Sequence, residues 1–245
     1  MSAAALPPIR EIRPKVLFQL IESMAPDVNP SFSVNIPSSA IGGATLLENA
    51  VLVSLAKLTG ARAFFEFGTY LGATTLLLAS NSPADAHVTT VDLPPADIDM
   101  AQPAPDEADL VLRDDTANDN FLRREFAHKG GLCIERASAD IQAKVTRLLQ
   151  DTRTIDPAAQ GLAGRFDFIF IDGGHDFDTI ASDTAIALQL AQPDAVIAWH
   201  DYRSTIHQDV TRFLDGYAAP ARLVYVQNTM IAFMLTGRFA NLLAD

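Results

Sequence analysis

The sequence predicts an α/β fold, doubly wound around a mostly parallel sheet of seven strands that closes in a C-terminal antiparallel hairpin. Three observations carry this. From residue 63 onward, short apolar runs rich in Phe, Ile and Val alternate with helical stretches, the pattern of a parallel sheet covered on both faces. The last two runs, Arg222 to Val226 and Met230 to Leu235, are joined by Gln227-Asn228-Thr229 alone. That link is too short for a crossover helix, so the pair is antiparallel. Finally, 245 residues with 49% hydrophobic and 20% charged residues supply enough apolar material for one sizeable core.

The elements follow in order. Residues 1–42 read as an N-terminal extension that caps a domain of residues 43–245. The extension holds one amphipathic stretch, Val16 to Met24, ahead of a loop rich in Pro, Asn and Ser. The domain opens at Thr45-Leu46-Leu47-Glu48, where a Thr followed three residues later by Glu satisfies two amides at a helix start. The helix runs to Gly60. Strands are expected at 63–67, 87–91, 132–134, 166–171 and 195–199 and in the two closing runs. Helices are expected at 73–79, from about Asp140 to Leu149, at 180–191 and from about Ser204 to Tyr217. Between Pro94 and Asn120, eight acids against Arg113 give seven of the twelve net negative charges. This acidic insertion is either a solvated surface segment or a lid.

Charge and cysteine content narrow the function. Thirty acids against 18 bases leave a net charge of -12, and nucleic-acid binders need a basic surface to displace counterions. Neither a nucleic acid nor an anionic membrane is an expected partner. A lone Cys133 forms no internal disulfide, which fits a reducing compartment, and a cytoplasmic location is expected. No run approaches the ~20 apolar residues that span a bilayer.

Ligands of open α/β sheets bind beyond the carboxyl ends of the strands. After the first strand comes Glu66-Phe67-Gly68-Thr69-Tyr70-Leu71-Gly72, and Asp92 follows the second. The two glycines permit a tight turn and close backbone approach at a helix start. Asp92 suits the hydroxyls of a ribose. By itself the glycine pair is also what an ordinary tight turn needs. With Asp92 added, a nucleoside-type cofactor is the expected occupant. The dinucleotide fingerprint requires a third glycine, and a carboxylate at Glu66 would repel a pyrophosphate while suiting a cation, so NAD is disfavoured.

The motif Glu66-x-Gly68-x-x-x-Gly72 resembles the first motif of class I S-adenosylmethionine-dependent methyltransferases, and the likeness extends over roughly residues 43–236. Ile171-Asp172-Gly173-Gly174-His175 and Trp199-His200-Asp201-Tyr202 resemble strand ends of bacterial O-methyltransferases of the catechol and macrolide-sugar type. The resemblance implies a Rossmann-like methyltransferase sheet and S-adenosyl-L-methionine as cofactor. It puts Glu66, Gly68, Thr69, Tyr70, Gly72 and Thr74 along the methionine and ribose part, Asp92 on the ribose hydroxyls and Ser138 near the adenine, with Asp172 also beside the cofactor. It further implies a divalent cation (Mg or Mn) held by Asp172, His200 and Asp201, with His200 standing where relatives often carry an acid. His175 and Asp172 are then the catalytic pair, the imidazole acting as general base. The residue-level alternatives stay open. Asp201 can cap a helix, Asp172 can bind loop amides, and His175 can be a ligand or a loop hydrogen-bonder. His87, His128 and His207 have no motif context and are expected on surface turns or helices. Trp199 and Tyr202 either flank the pocket or pack in the core.

The expected activity is O-methylation of a small hydroxylated acceptor. The competing readings are a metal-independent N- or C-methyltransferase and a non-catalytic S-adenosylmethionine-binding protein. Oligomeric state is open, a homo-oligomer included.

Overall fold

The structure, a computed structural model, describes residues 8–24, 31–34, 42–97 and 129–243. Strands are β1 (Arg10–Ile12), β2 (Ala63–Phe67), β3 (His87–Asp92), β4 (Val145–Leu149), β5 (Phe166–Ile171), β6 (Ala191–Trp199), β7 (Leu223–Val226) and β8 (Ala232–Leu235). Helices are α1 (Pro14–Met24), α2 (Leu46–Thr59), α3 (Ala73–Ser80), the short α4 (Leu132–Glu135) and α5 (Ala139–Gln142), α6 (Phe177–Leu190) and α7 (Gln208–Gly216). The sheet has eight strands in the order β1-β7-β8-β6-β5-β2-β3-β4. Only β8 runs antiparallel to its neighbours, β6 and β7. The doubly wound sheet with a closing hairpin is therefore as expected.

Successive strand residues are buried on opposite faces. Phe64, Phe168, Phe170 and Val196 meet Leu17, Val51, Leu52 and Leu55 on one side. Phe65, Ile169, Ile171 and Ile197 meet Ile180, Leu190 and Leu214 on the other. Two-sided burial explains why these strands read as unbroken apolar runs.

Three expectations need correction. Residues 132–134 are not the third strand: Leu132–Glu135 is the helical turn α4. The strand lies at Val145–Leu149 instead, inside the stretch expected to be helical, where only Ala139–Gln142 is. Val145-Thr-Arg-Leu-Leu149 has no fully buried residue, since β4 is an edge strand. Its sparse apolar positions suit either period, and five residue pairs with β3 decide the matter. The eighth strand, β1, is only three residues long and lies in the N-terminal extension. It pairs parallel with β7, so part of the extension belongs to the sheet. Of the acidic insertion only the start is described, a 3-10 turn at Pro95–Asp97; the rest lies outside the described residues. Among the described residues, no helix is long and apolar enough to cross a membrane.

Candidate active site

Strand order reverses between β2 and β5, which opens a crevice at their carboxyl ends. Gly68 lines it. Its φ is 90°, and a Cβ there would lie 2.1 Å from the carbonyl oxygen of Asp172, so only glycine lets the two loops touch. Gly72, at φ 77°, begins α3, and a Cβ would meet Ile134 Cγ1 at 2.7 Å. Between them Tyr70 also takes a left-handed conformation, φ 47°. Its amide donates to Asp92 Oδ2 at 2.8 Å, while Leu93 N donates to Asp92 Oδ1 at 2.8 Å. Asp92 thus stands at the rim, clasped to the glycine turn.

Glu66 points into the protein beneath the turn. It is 1% exposed and accepts a hydrogen bond from the Thr75 hydroxyl in the first turn of α3. Burial pushes its carboxyl up to about 8, against the hydrogen bonds of Thr75 and Thr90. Thr69 Oγ1 meets Thr90 Oγ1 at 2.8 Å, so Glu66, Thr75, Thr90 and Thr69 form one buried polar knot beneath the turn. Thr74 is half-buried in the same helix turn. Ser138 is exposed and sits before β4 as the cap of α5; the carboxyl end of β4 is followed by Gln150, whose amide donates to Asp92 O at 2.8 Å.

On the other side of the crevice Asp172 follows β5, and His200 and Asp201 follow β6. Here the expected residues converge. His200 Nδ1 lies 3.2 Å from Asp172 Oδ1 and 3.0 Å from Asp201 Oδ2. His175 Nε2 is 3.1 Å from the same Asp201 oxygen. Burial alone would discharge His200, but the carboxylates of Asp201 and Asp172 outweigh it and hold the ring charged. Asp201 is likewise held ionised against its burial by His200 and His175. Asp201 and Arg203 adopt φ of 60° and 65°, a left-handed path that costs non-glycine residues energy and persists only where surroundings enforce it.

Two contributors escape sequence reasoning. Glu48, legible as half of a capping box, accepts from Thr45 N at 2.7 Å with Oε2 and from Met230 N at 2.7 Å with Oε1. It also lies 3.5 Å from His200 Nε2. Burial opposes its ionisation, yet His200 and these amides hold it down at about 2. His207, expected at the surface, is buried and stacks on His175 with ring centroids 3.7 Å apart. No local pattern signals either, because both reach the site through packing of distant elements. Trp199 resolves as core: it is 1% exposed and its indole N–H donates to Thr184 Oγ1 at 2.9 Å. Tyr202 is buried too, donating to Asp215. His87 lies on the edge strand pair, 2.9 Å from Thr146 Oγ1, and His128 is outside the described residues.

A glycine turn at the switch point, an acid clasped at the end of the adjacent strand and a titratable cluster across the crevice define an enzyme of the nucleoside-cofactor α/β class. The profile of a family described as a methyltransferase domain matches residues 65–202. The chain belongs to that family and is a class I S-adenosylmethionine-dependent methyltransferase. Solved structures share the fold. The O-methyltransferase TomG of Streptomyces achromogenes, involved in tomaymycin synthesis and solved with S-adenosylmethionine, is 19% identical, with 94% of this chain and 92% of that one covered at a TM-score of 0.50. A Staphylococcus aureus protein assigned as a caffeoyl-CoA O-methyltransferase is 14% identical, covering 91% and 92% at 0.53. The methyltransferase PaMTH1 of Podospora anserina, bound to S-adenosylhomocysteine, is 11% identical, covering 89% and 86% at 0.52. No curated protein matches the chain in sequence.

Proposed function

We propose that the protein is an O-methyltransferase that methylates a small hydroxylated acceptor, with His175 taking the hydroxyl proton. The observation that carries this reading is the His175–Asp201 contact of 3.1 Å beyond the carboxyl ends of β5 and β6. An imidazole oriented by a buried carboxylate is an effective proton acceptor near neutral pH. S-adenosylmethionine, when bound here, would supply an electrophilic methyl carbon. The acceptor oxygen bonds to that carbon as the carbon–sulfur bond breaks, S-adenosylhomocysteine leaves with the bonding pair, and the hydroxyl proton goes to His175. The cradle fits that cofactor: Gly68 and Gly72 have no room for a side chain, and Asp92 is fixed where ribose hydroxyls would reach it.

In this reading Gly68, Tyr70, Gly72 and Thr74 line the cofactor together with the backbone of Thr69, whose hydroxyl is turned down to Thr90, while Glu66 acts from beneath by fixing the turn. Ser138 stays a candidate for the adenine side only through its segment, since Gly131 N and Cys133 N donate to Tyr70 O and Leu71 O. Asp172, His200 and Asp201 present donor atoms within 4.8 Å of one another, a set that would take a divalent cation only with His200 giving up its proton, and such an ion would lower the pKa of the acceptor hydroxyl. A metal-free transfer is the second reading, favoured because both His200 nitrogens face carboxylates. The net charge of -12 supports a small acceptor over nucleic acid, and the lone Cys133 supports a cytoplasmic location.

The test has two arms. Titration calorimetry of Asp92→Ala should lower S-adenosylmethionine affinity about tenfold or more, the size of one lost charged hydrogen-bond partner. Release of S-adenosylhomocysteine should be measured over a panel of phenols and sugar hydroxyls, with and without chelator. There His175→Ala should cut kcat roughly 100-fold or more. Tight cofactor binding with no turnover over the panel, and no effect of His175→Ala, would point to a cofactor-binding module instead. Unchanged turnover under chelation would select the metal-free reading.

A further inference from the structure

His207 has no part in the scheme above, yet it is buried against the group that does the work. His175, Asp201 and His207 each bring a ligand atom within 4.8 Å of the others. They come from three segments: the loop after β5, the end of β6 and the residue preceding α7. Asp201 and His207 are 6% and 7% exposed, whereas the His175 side chain is 15% exposed. The left-handed φ of Asp201 turns the backbone at this point. Ser204 Oγ accepts from His207 N at 3.2 Å, which fixes the approach to α7.

This set and the expected one share Asp201 but differ in chemistry. Asp172, Asp201 and His200 offer two carboxylates and one nitrogen, the oxygen-rich mixture suited to magnesium or manganese. His175, His207 and Asp201 offer two imidazoles and one carboxylate, which suits zinc, cobalt or nickel. His200 Nδ1 faces both Asp172 and Asp201, and its Nε2 faces Glu48.

We propose that His175, Asp201 and His207 form a binding site for a borderline divalent cation such as zinc once the two imidazoles turn out of their 3.7 Å stack so that their nitrogens converge, and that its occupancy silences methyl transfer. The inference rests on the reading of His175 as proton acceptor. A ring nitrogen that donates its lone pair to zinc has none left for the acceptor's proton, so cation and proton compete for one residue. No bond to the methyl group is involved, and the inhibition reverses when the metal is removed.

The experiment uses the full chain and zinc or cobalt(II) salts as probes. Cobalt(II) added to the metal-free protein should develop visible d–d absorption, and zinc should abolish it by competition. Zinc should inhibit turnover over the same concentration range. His207→Phe keeps a ring to stack on His175 but removes the nitrogens, and His207→Gln is a second variant should the first fail to fold. Either should lose zinc affinity by about tenfold or more, as for loss of one ligand, and zinc inhibition, taken relative to the variant's own metal-free rate, should weaken by the same factor. Wild-type protein that shows neither cobalt absorption nor zinc inhibition overturns the proposal. So does absorption undiminished in the His207 variants but lost in Asp172→Asn, which would assign the ion to the oxygen-rich set. If His175→Ala stays fully active, the base reading fails by itself. Cobalt absorption lost in the His207 variants would then still establish the site, with the silencing step overturned.

Discussion

Glu66 is an ionisable carboxyl at 1% exposure, and its placement makes a statement about pH. The unfolded chain ionises it near its ordinary value of 4.5, whereas burial holds the folded group at about 8. Between those values folding takes up a proton. Stability from this site is therefore full below about 4.5 and is lost as pH rises toward 8. Asp183, pushed by burial from 3.8 to about 7, acts in the same direction. Each pKa unit is worth about 1.4 kcal/mol, so Glu66→Gln should lose less stability than the wild type between pH 5 and pH 8, by on the order of a few kcal/mol. Scanning calorimetry across that range checks it, and parallel curves for the two proteins would refute it. At Gly68 the constraint is steric. Gly68→Ala would drive a methyl group into the Asp172 carbonyl oxygen at 2.1 Å and hold a left-handed φ of 90°. It should cost about 2 kcal/mol or more and lower cofactor affinity at the same time, because the loops that separate are the ones lining the crevice. Thermal melting and cofactor titration read the two effects independently.

Among the elements, α2 shows how local signals and tertiary use coincide. Its start was legible because Thr45 and Glu48 form a reciprocal cap, and its end because Gly60 takes φ 67°. Thr45→Ala should cost about 1 kcal/mol in denaturant unfolding, the usual worth of an N-cap. Glu48→Ala should cost several times more, since the same carboxylate serves Met230 N and pairs with buried His200, which would be left short of a partner. Equal losses for the two variants would mean that Glu48 does no more than cap. β4 illustrates the opposite situation. Its sequence fits both periods, and Leu149 is 53% exposed, so no buried face declared it a strand. Only pairing with β3 did so, and that moved the carboxyl end of the third crossover to Gln150, well beyond Ser138.

At the scale of the whole molecule, β1 closes an edge of the sheet. Its three residues pair with β7, Glu11 reaches Arg203 at 2.8 Å and Gln227 donates to Glu11 at 2.8 Å. Without β1, the apolar strand Leu223-Val-Tyr-Val226 presents unpaired amides and carbonyls, a template for another chain. Deleting residues 1–13 should therefore lower the melting temperature and promote self-association, measured by light scattering. S-adenosylmethionine binding at the β2–β3 rim should change by less than about threefold, because the deletion acts at the far side of the sheet. A truncated chain that stays monomeric and equally stable would show that the strand is dispensable.

The sequence by itself determined the class of fold, the glycine turn and the acids at the strand ends. Those signals are local: unbroken apolar runs demand two-sided burial, a left-handed turn demands glycine, and a strand end places its next side chain at the rim. The tertiary structure alone decided that Glu66 faces inward, that His207 lies against His175 and that Glu48 reaches His200. Each of these depends on how separate helices and loops are pressed onto the sheet, and side chains brought together by packing leave no spacing along the chain to read.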